Sequence, residues 1–291
     1  AEVNASHAVK DKTLLRNATL YVSLEPCSHY GKTPPCSDLI IETGIPTIII
    51  GTTDRNKLVS GRGIEKLKAA GREVIVGVLE DECIAFNRRF FTFHTQKRPY
   101  IILKWAQSKD GYLAPTEVVR GANKEGQKKP YWISNAYSRQ LTHRWRSEEQ
   151  AILIGTQTAI DDNPKLDVRD WYGRNPIKIV LDQHNRIPKE NYIFGNRSNI
   201  MLLSSADLDF KSNVGKQIAQ ILYEKNISSV IVEGGYRTLK TFIDENLWDE
   251  TRIFVGPHFL IDGLPAPDFK GNLVSRKTLG NDELLILMNH D

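Results

Sequence analysis

The chain has 291 residues, 40% of them hydrophobic and 25% charged, with a net charge of +4. That is the composition of a globular protein with material for two cores, and no apolar run approaches the roughly 18 residues of a membrane span. Lysines and arginines are scattered, which argues against a nucleic-acid or membrane-surface partner. Three cysteines cannot form an even disulfide framework, which points to a reducing compartment such as the cytoplasm.

In chain order, Ala1–Ala5 starts a helix, Ala18–Leu24 reads as a strand and Pro46–Gly51 (PTIIIG) as a buried one. Ser37–Thr43 and Gly61–Ala70 read as helices, Arg72–Gly77 as a strand, and Asp81–Phe93 as a single helix. Alternating strands and helices imply a largely parallel sheet. A polar boundary falls at His94–Arg98, before a new apolar strand, Tyr100–Ala106, and a turn at Lys109–Gly111. Thr116–Pro130 reads as a mobile polar stretch, and Ser134 as the N-cap of a helix reaching Glu149. Strands follow at Ala151–Gly155, Ile177–Asp182, Asn199–Ser204, Ser229–Glu233, Arg252–Val255 and Leu284–Met288, with helices at Val214–Lys225 and Thr238–Leu247. The fold class is therefore α/β in two domains, 1–95 and 98–291.

The strongest local signal is Pro26-Cys27-Ser28-His29-Tyr30-Gly31-Lys32-Thr33-Pro34-Pro35-Cys36. Its two cysteines follow a strand and open a helix, whose N-terminus favours the thiolates that bind zinc. Two structural cysteines around a proline turn account for the spacing equally well. Zinc nucleobase deaminases place His-x-Glu ahead of a Pro-Cys pair; Glu2 stands where that Glu belongs, and the His would fall immediately before Ala1. His7 and His29 are substitute candidates, though solvated histidines are the plainer reading. Cys83, in a helical pattern, reads as a core cysteine.

Four features converge in the second half: Leu103–Gly111, Trp132-Ile133-Ser134, Gly155–Arg169, and Val232-Glu233-Gly234-Gly235-Tyr236-Arg237-Thr238-Leu239. The last is a strand, a Gly-Gly turn and a helix, which suits a phosphate or pyrophosphate. It is not the GxGxxG of a Rossmann domain.

The motifs AEVNA, LEPCSHYGKTPPC and TTDRNKLVSGRG, with the four features of the second half, resemble the bifunctional riboflavin-biosynthesis deaminase–reductase family. The resemblance implies a cytidine-deaminase-like α/β/α module followed by a dihydrofolate-reductase-like α/β module. It implies Cys27 and Cys36 as zinc ligands and Glu2 as general acid/base. Lys32, Asp54 and Asn56 would hold the deaminase substrate. In the reductase it implies Lys104, Arg146, Leu166, Arg169 and Glu233 at the substrate, with Arg146 and Arg169 as phosphate forks. Trp132, Thr158, Asp162, Gly235, Tyr236, Arg237 and Thr238 would contact NADPH.

The expected reactions are zinc-dependent hydrolytic deamination of a diaminopyrimidinone ribosylamine phosphate, then hydride transfer from NADPH to the ribose C1. The expected partners are these phosphorylated small molecules and other copies of the chain. The family pattern also includes about fifty residues ahead of this start. Gln107, Pro130 and Gln183 depart from it. The rival readings are a reductase with a degenerate deaminase module, a nucleic-acid base deaminase, and a zinc-stabilised binding module. The TPPC spacing and the lack of a basic–aromatic patch argue against the second.

Overall fold

The computed structural model describes residues 1–30, 34–55, 60–115 and 132–289, with backbone only at 196–198. Lys32, Asn56, Pro130 and the stretch 116–130 lie outside the described residues. The chain divides into two compact units, Ala1–Lys97 and Arg98–Asp291.

The first unit contains α1 (Glu2–Ala8), a 3-10 turn (Lys12–Asn17), β1 (Thr19–Leu24), α2 (Cys36–Thr43), β2 (Thr47–Thr52), α3 (Arg62–Ala69) and β3 (Glu73–Val76). It closes with α4 (Glu80–Phe86), α5 (Arg88–Phe91) and a π-turn (Thr92–Gln96). The expected single helix over 81–93 is thus divided at Asn87, whose side-chain amide donates to the Cys83 carbonyl (2.8 Å) and to Ser23 on β1 (Oγ 3.3 Å). β1, β2 and β3 pair in parallel with β2 in the centre. The central position explains the uninterrupted TIII run, because a parallel strand flanked on both sides needs apolar residues on both faces. Ile48 and Ile50 are fully buried with Ile40 of α2 and Leu67 of α3.

The second unit runs β4 (Tyr100–Gln107), β5 (Tyr112–Pro115), α6 (Ala136–Glu148), β6 (Ala151–Gly155), α7 (Thr156–Asp162) and β7 (Ile177–Leu181). There follow a 3-10 segment (Tyr192–Asn199), β8 (Ile200–Leu203), α8 (Val214–Glu224), β9 (Ser229–Gly234), α9 (Tyr236–Asp244) and β10 (Glu250–Val255). The last strands are β11 (Gly263–Pro265), β12 (Asn272–Leu279) and β13 (Asp282–Met288). Eight strands form one sheet in the order β12-β13-β10-β4-β9-β6-β7-β8. β10 through β8 are parallel, while β13 and β12 close the edge antiparallel. The expectation of a mixed α/β second half holds. Its main core joins Ile101, Leu103, Leu153 and Val232 of the central strands to Ile218 and Leu222 of α8 and Phe242 of α9.

Three expectations need correction. The N-cap of α6 is Asn135, not Ser134: its side chain accepts from the Ser138 amide (3.0 Å), while the Ser134 carbonyl is taken by Arg139. α9 starts at Tyr236, two residues earlier than periodicity suggests, because the Gly234-Gly235 turn leads straight into it. α7, β5, β11 and β12 are additional elements; β12 is an edge strand whose residues are mostly exposed, so no alternation marks it.

Candidate active sites of the two units

In the first unit, parallel strands β1 and β2 end on the same edge, where loops of an α/β sheet collect ligand-binding residues. After β1 the chain turns through Glu25-Pro26-Cys27. The turn is held by the Glu25 carboxylate, which is buried and accepts from the amides of Asp54 (3.2 Å), Gly61 (3.0 Å) and Gly63 (2.9 Å). Position 63 tolerates only glycine, since a Cβ there would lie 2.1 Å from the Pro26 carbonyl oxygen. Cys36 opens α2, and its amide donates to the Cys27 sulfur (3.2 Å). The Cys36 thiol in turn donates to the Glu2 carboxylate of α1 (3.4 Å).

Three predicted residues from three separate elements therefore meet: Glu2, Cys27 and Cys36. Burial first, then the Glu2 carboxylate and the neighbouring Cys27, push the Cys36 thiol up to about 12. The Ala1 ammonium lies 3.5 Å from the same Glu2 oxygen, and two sulfurs beside a carboxylate make a donor set that fits zinc. Among the described residues no group of three His, Cys, Asp or Glu is spaced as a complete metal site. His7 and His29 are both exposed. Asp54 follows β2 and is tied by its amide to Glu25. Cys83 packs on β2, its sulfur 2.2 Å from where a Cβ at Gly51 would stand.

In the second unit the register pairs Leu103 of β4 with Val232 of β9, so Lys104 and Glu233 are the next residues along adjacent parallel strands. Arg146, in the last turn of α6, closes the cluster: its Nε and Nη2 donate to the two Glu233 oxygens (3.2 and 2.7 Å). Burial alone would raise the Glu233 carboxyl. The Arg146 guanidinium, then Lys104, overcome that and hold it down at about 2. Burial lowers the Lys104 ammonium, and Arg146 adds to that effect against Glu233. The cluster carries two cations and one anion, a surplus suited to an anionic ligand.

The forks are not equivalent. Arg146 spends its planar face on Glu233, and its Nη1 donates to the Asp167 carbonyl (3.3 Å). Three of its roughly five N–H groups are thus engaged within the protein. Arg169 is 46% exposed; its Nη1 donates to the Asp167 carboxylate (2.8 Å) and its Nε lies 3.9 Å from the Asp170 carboxylate, so it is the more exposed fork, though also paired within the protein. Leu166 is buried among Ile152, Ile154 and Val180, at a positive φ of 53°; a ligand contact there would fall to its backbone.

β6 and β9 are adjacent, and the helices that follow them, α7 and α9, start on the same edge. Gly235 has φ 75°, and a Cβ there would lie 2.8 Å from the Thr158 hydroxyl, so Thr158 and the Gly-Gly turn face each other closely. Thr238 is buried in the first turn of α9, whereas Arg237 and Asp162 are exposed and Tyr236 half-buried. Trp132 is exposed, with the Arg139 guanidinium over its ring at 4.9 Å. Gln107 accepts from the Trp105 indole (2.8 Å). Gln183 lines a cavity of about 430 Å³ with Ser205 and Asp207, beyond the ends of β7 and β8.

Two groups escaped the sequence reading. Glu25 looked like an ordinary residue before Pro-Cys. His143, one turn before Arg146 on α6, is buried and bonded to the Asp167–Asp170 segment. The three-residue spacing to Arg146 was its available signal.

Comparison with known proteins adds the following. Residues 99–271 match the family model described as the RibD C-terminal domain. Residues 1–52 match the cytidine and deoxycytidylate deaminase zinc-binding region. Riboflavin biosynthesis protein RibD of Aquifex aeolicus is 38% identical over an alignment of 284 positions that covers 92% of this chain and 76% of that protein. The counterpart from Bacillus amyloliquefaciens is 33% identical over 92% of this chain and 74% of that protein. The crystal structure of a diaminohydroxyphosphoribosylaminopyrimidine deaminase/5-amino-6-(5-phosphoribosylamino)uracil reductase from Thermotoga maritima superposes with a TM-score of 0.83 at 33% identity, covering all of this chain and 84% of that one.

Proposed function

The chain belongs to the family of riboflavin biosynthesis protein RibD, and from that premise we propose how its residues divide the work of a deaminase and a reductase. It is a bifunctional enzyme of riboflavin biosynthesis. The observation that carries the assignment to residues is the meeting of Glu2, Cys27 and Cys36 in one unit and of Lys104, Arg146 and Glu233 in the other.

Residues 1–95 form the deaminase module. Cys27 and Cys36 hold zinc together with a histidine of the deaminase pattern. Zinc, when bound, supplies the Lewis acidity that makes water a nucleophile near neutral pH. Glu2 takes the proton from the attacking water and delivers it to the departing amino group, which leaves as ammonia. Lys32, Asp54 and Asn56 orient the phosphorylated pyrimidine; Glu25 fixes the amide of Asp54 and so the start of that segment.

Residues 98–291 form the reductase module. NADPH, when bound, supplies the hydride. The turn from Gly235 to Thr238, with Thr158, Asp162 and Trp132, seats it, because the unpaired amides at the start of α9 suit a phosphate. Arg169 takes the substrate phosphate. Lys104 and Glu233 meet the polar groups of the ribosylamine, and Arg146 holds Glu233 ionised for that task. No covalent nucleophile is needed; positioning the two partners supplies much of the rate. The enzyme works in the cytoplasm as a homo-oligomer on free small molecules. Among the described residues no helix is long and apolar enough to cross a membrane.

Ammonia release and NADPH oxidation, followed separately on the natural full-length protein, test this reading. The expected result is one bound zinc per chain and both activities, with a chelator abolishing ammonia release alone. Zinc-free protein that oxidises NADPH and never releases ammonia would leave only a reductase.

A further inference from the structure

His143 sits on α6, one turn before Arg146, and is 3% exposed. Its ring meets the segment after α7 at both nitrogens. Nδ1 donates to the Asp167 carbonyl (2.9 Å); Nε2 lies 3.2 Å from the Asp170 carboxylate, an ion pair only with the ring protonated, and burial, then Arg146 and Arg169, work against that charge, so the Asp167 bond is the anchor of the neutral ring. The Arg169 amide is 3.4 Å from Nδ1. One buried side chain thus lies against three of four consecutive residues, and the half-exposed Arg169, whose guanidinium faces the Asp167 and Asp170 carboxylates, is among them. The rest of the segment has little regular structure to steady it. Asn163 and Leu166 are both at positive φ, and between α7 and β7 no helix or strand forms. Leu166 anchors it from the core on one side. On the ligand side the anchors are His143, the Arg146 donation to the same Asp167 carbonyl, and the amide of Val168 on Asn175 (2.7 Å).

We propose that His143 is a positioning residue of the reductase: it holds Asp167–Asp170 against α6 so that Arg169 is presented to the phosphate of the substrate. This rests on the reading of Arg169 as a substrate contact. His143 also links that contact to the ion cluster, because α6 carries His143 and Arg146 on one face and the Asp167 carbonyl accepts from both.

The test is steady-state kinetics of the reductase step on the full chain, with the pyrimidine substrate and NADPH varied independently. His143→Ala is expected to raise KM for the pyrimidine about tenfold, the worth of one hydrogen bond. It leaves kcat, KM for NADPH and ammonia release within about twofold, because an interaction made equally in ground and transition states moves KM alone. His143→Asn, which restores a donor near the Nδ1 position, recovers most of the loss. Unchanged KM in His143→Ala overturns the inference. So does a pattern in which kcat, both KM values and the melting temperature worsen together and Asn is no better than Ala, since that is the mark of a merely structural histidine. Arg169→Ala reports on the underlying reading. If it leaves KM unchanged while His143→Ala raises it, Arg169 is not the phosphate contact and His143 anchors the segment for another group.

Discussion

The two candidate sites solve opposite electrostatic problems. Around Cys36 the neighbours are a carboxylate and a second thiol, and burial drives the Cys36 thiol up to about 12. Around Glu233 the neighbours are two cations, and a carboxyl that burial would raise is held at about 2. The first locus gathers two sulfurs and a carboxylate, a donor set that a metal ion would complete. The second sets its own two cations around one carboxylate and is assembled before any ligand arrives. A site of the first kind depends on metal supply, whereas one of the second kind depends on an ion pair that folding itself must assemble.

The largest effect should therefore come from the metal side. Cys27→Ser or Cys36→Ser removes a ligand, and ammonia release should fall on the order of 10³-fold, several kcal/mol of barrier. NADPH-dependent reduction, measured on the same preparation, should stay within about twofold. A parallel fall in both would break the separation of the two loci.

Glu233→Gln should come next. It leaves Arg146 facing a neutral amide, and both side chains of the pair are only about one-tenth exposed. Losing one partner of a buried pair costs about 3 kcal/mol of stability, to be read by denaturant titration, together with a large loss of reductase activity. The pH dependence has a definite sign. The folded carboxyl is depressed from 4.5 to about 2, so its contribution is fully present above about pH 4.5 and is lost as the pH falls towards 2. The wild-type stability curve should decline across that window, and Glu233→Gln should decline less.

Much of the architecture could be read from the chain because it is written locally. TIIIG, YIILKWA and AILIG announce buried parallel strands, and each forms one. The thiol locus was legible because Cys27 and Cys36 lie in one short loop. The ion cluster was legible only through family likeness, since Arg146 and Glu233 are 87 residues apart and nothing in either neighbourhood announces the other. The closed fork of Arg146 escaped for the same reason: which partner occupies a guanidinium is decided by tertiary packing. The N-cap of α6 shows the limit at short range. Ser134 and Asn135 are both good caps, and the choice falls to Asn135 because its amide also donates to the Leu279 carbonyl (2.5 Å), far along the chain. The smallest effect expected here is the sharpest check of that choice. Asn135→Ala should cost about 1 kcal/mol, while Ser134→Ala should stay within about 0.5 kcal/mol; equal costs would mean the cap is shared.

Glu25 carries a consequence of a different kind. One buried carboxylate binds the amides of Asp54, Gly61 and Gly63, across 38 residues of chain, and sits two residues before Cys27. Those amides cannot be released one by one without stranding a charge away from water. The turn that carries Cys27, the amide of Asp54 and the first turn of α3 are therefore tied to one carboxylate. A change at Cys27 would in that sense be felt at Asp54 and at the start of α3 together.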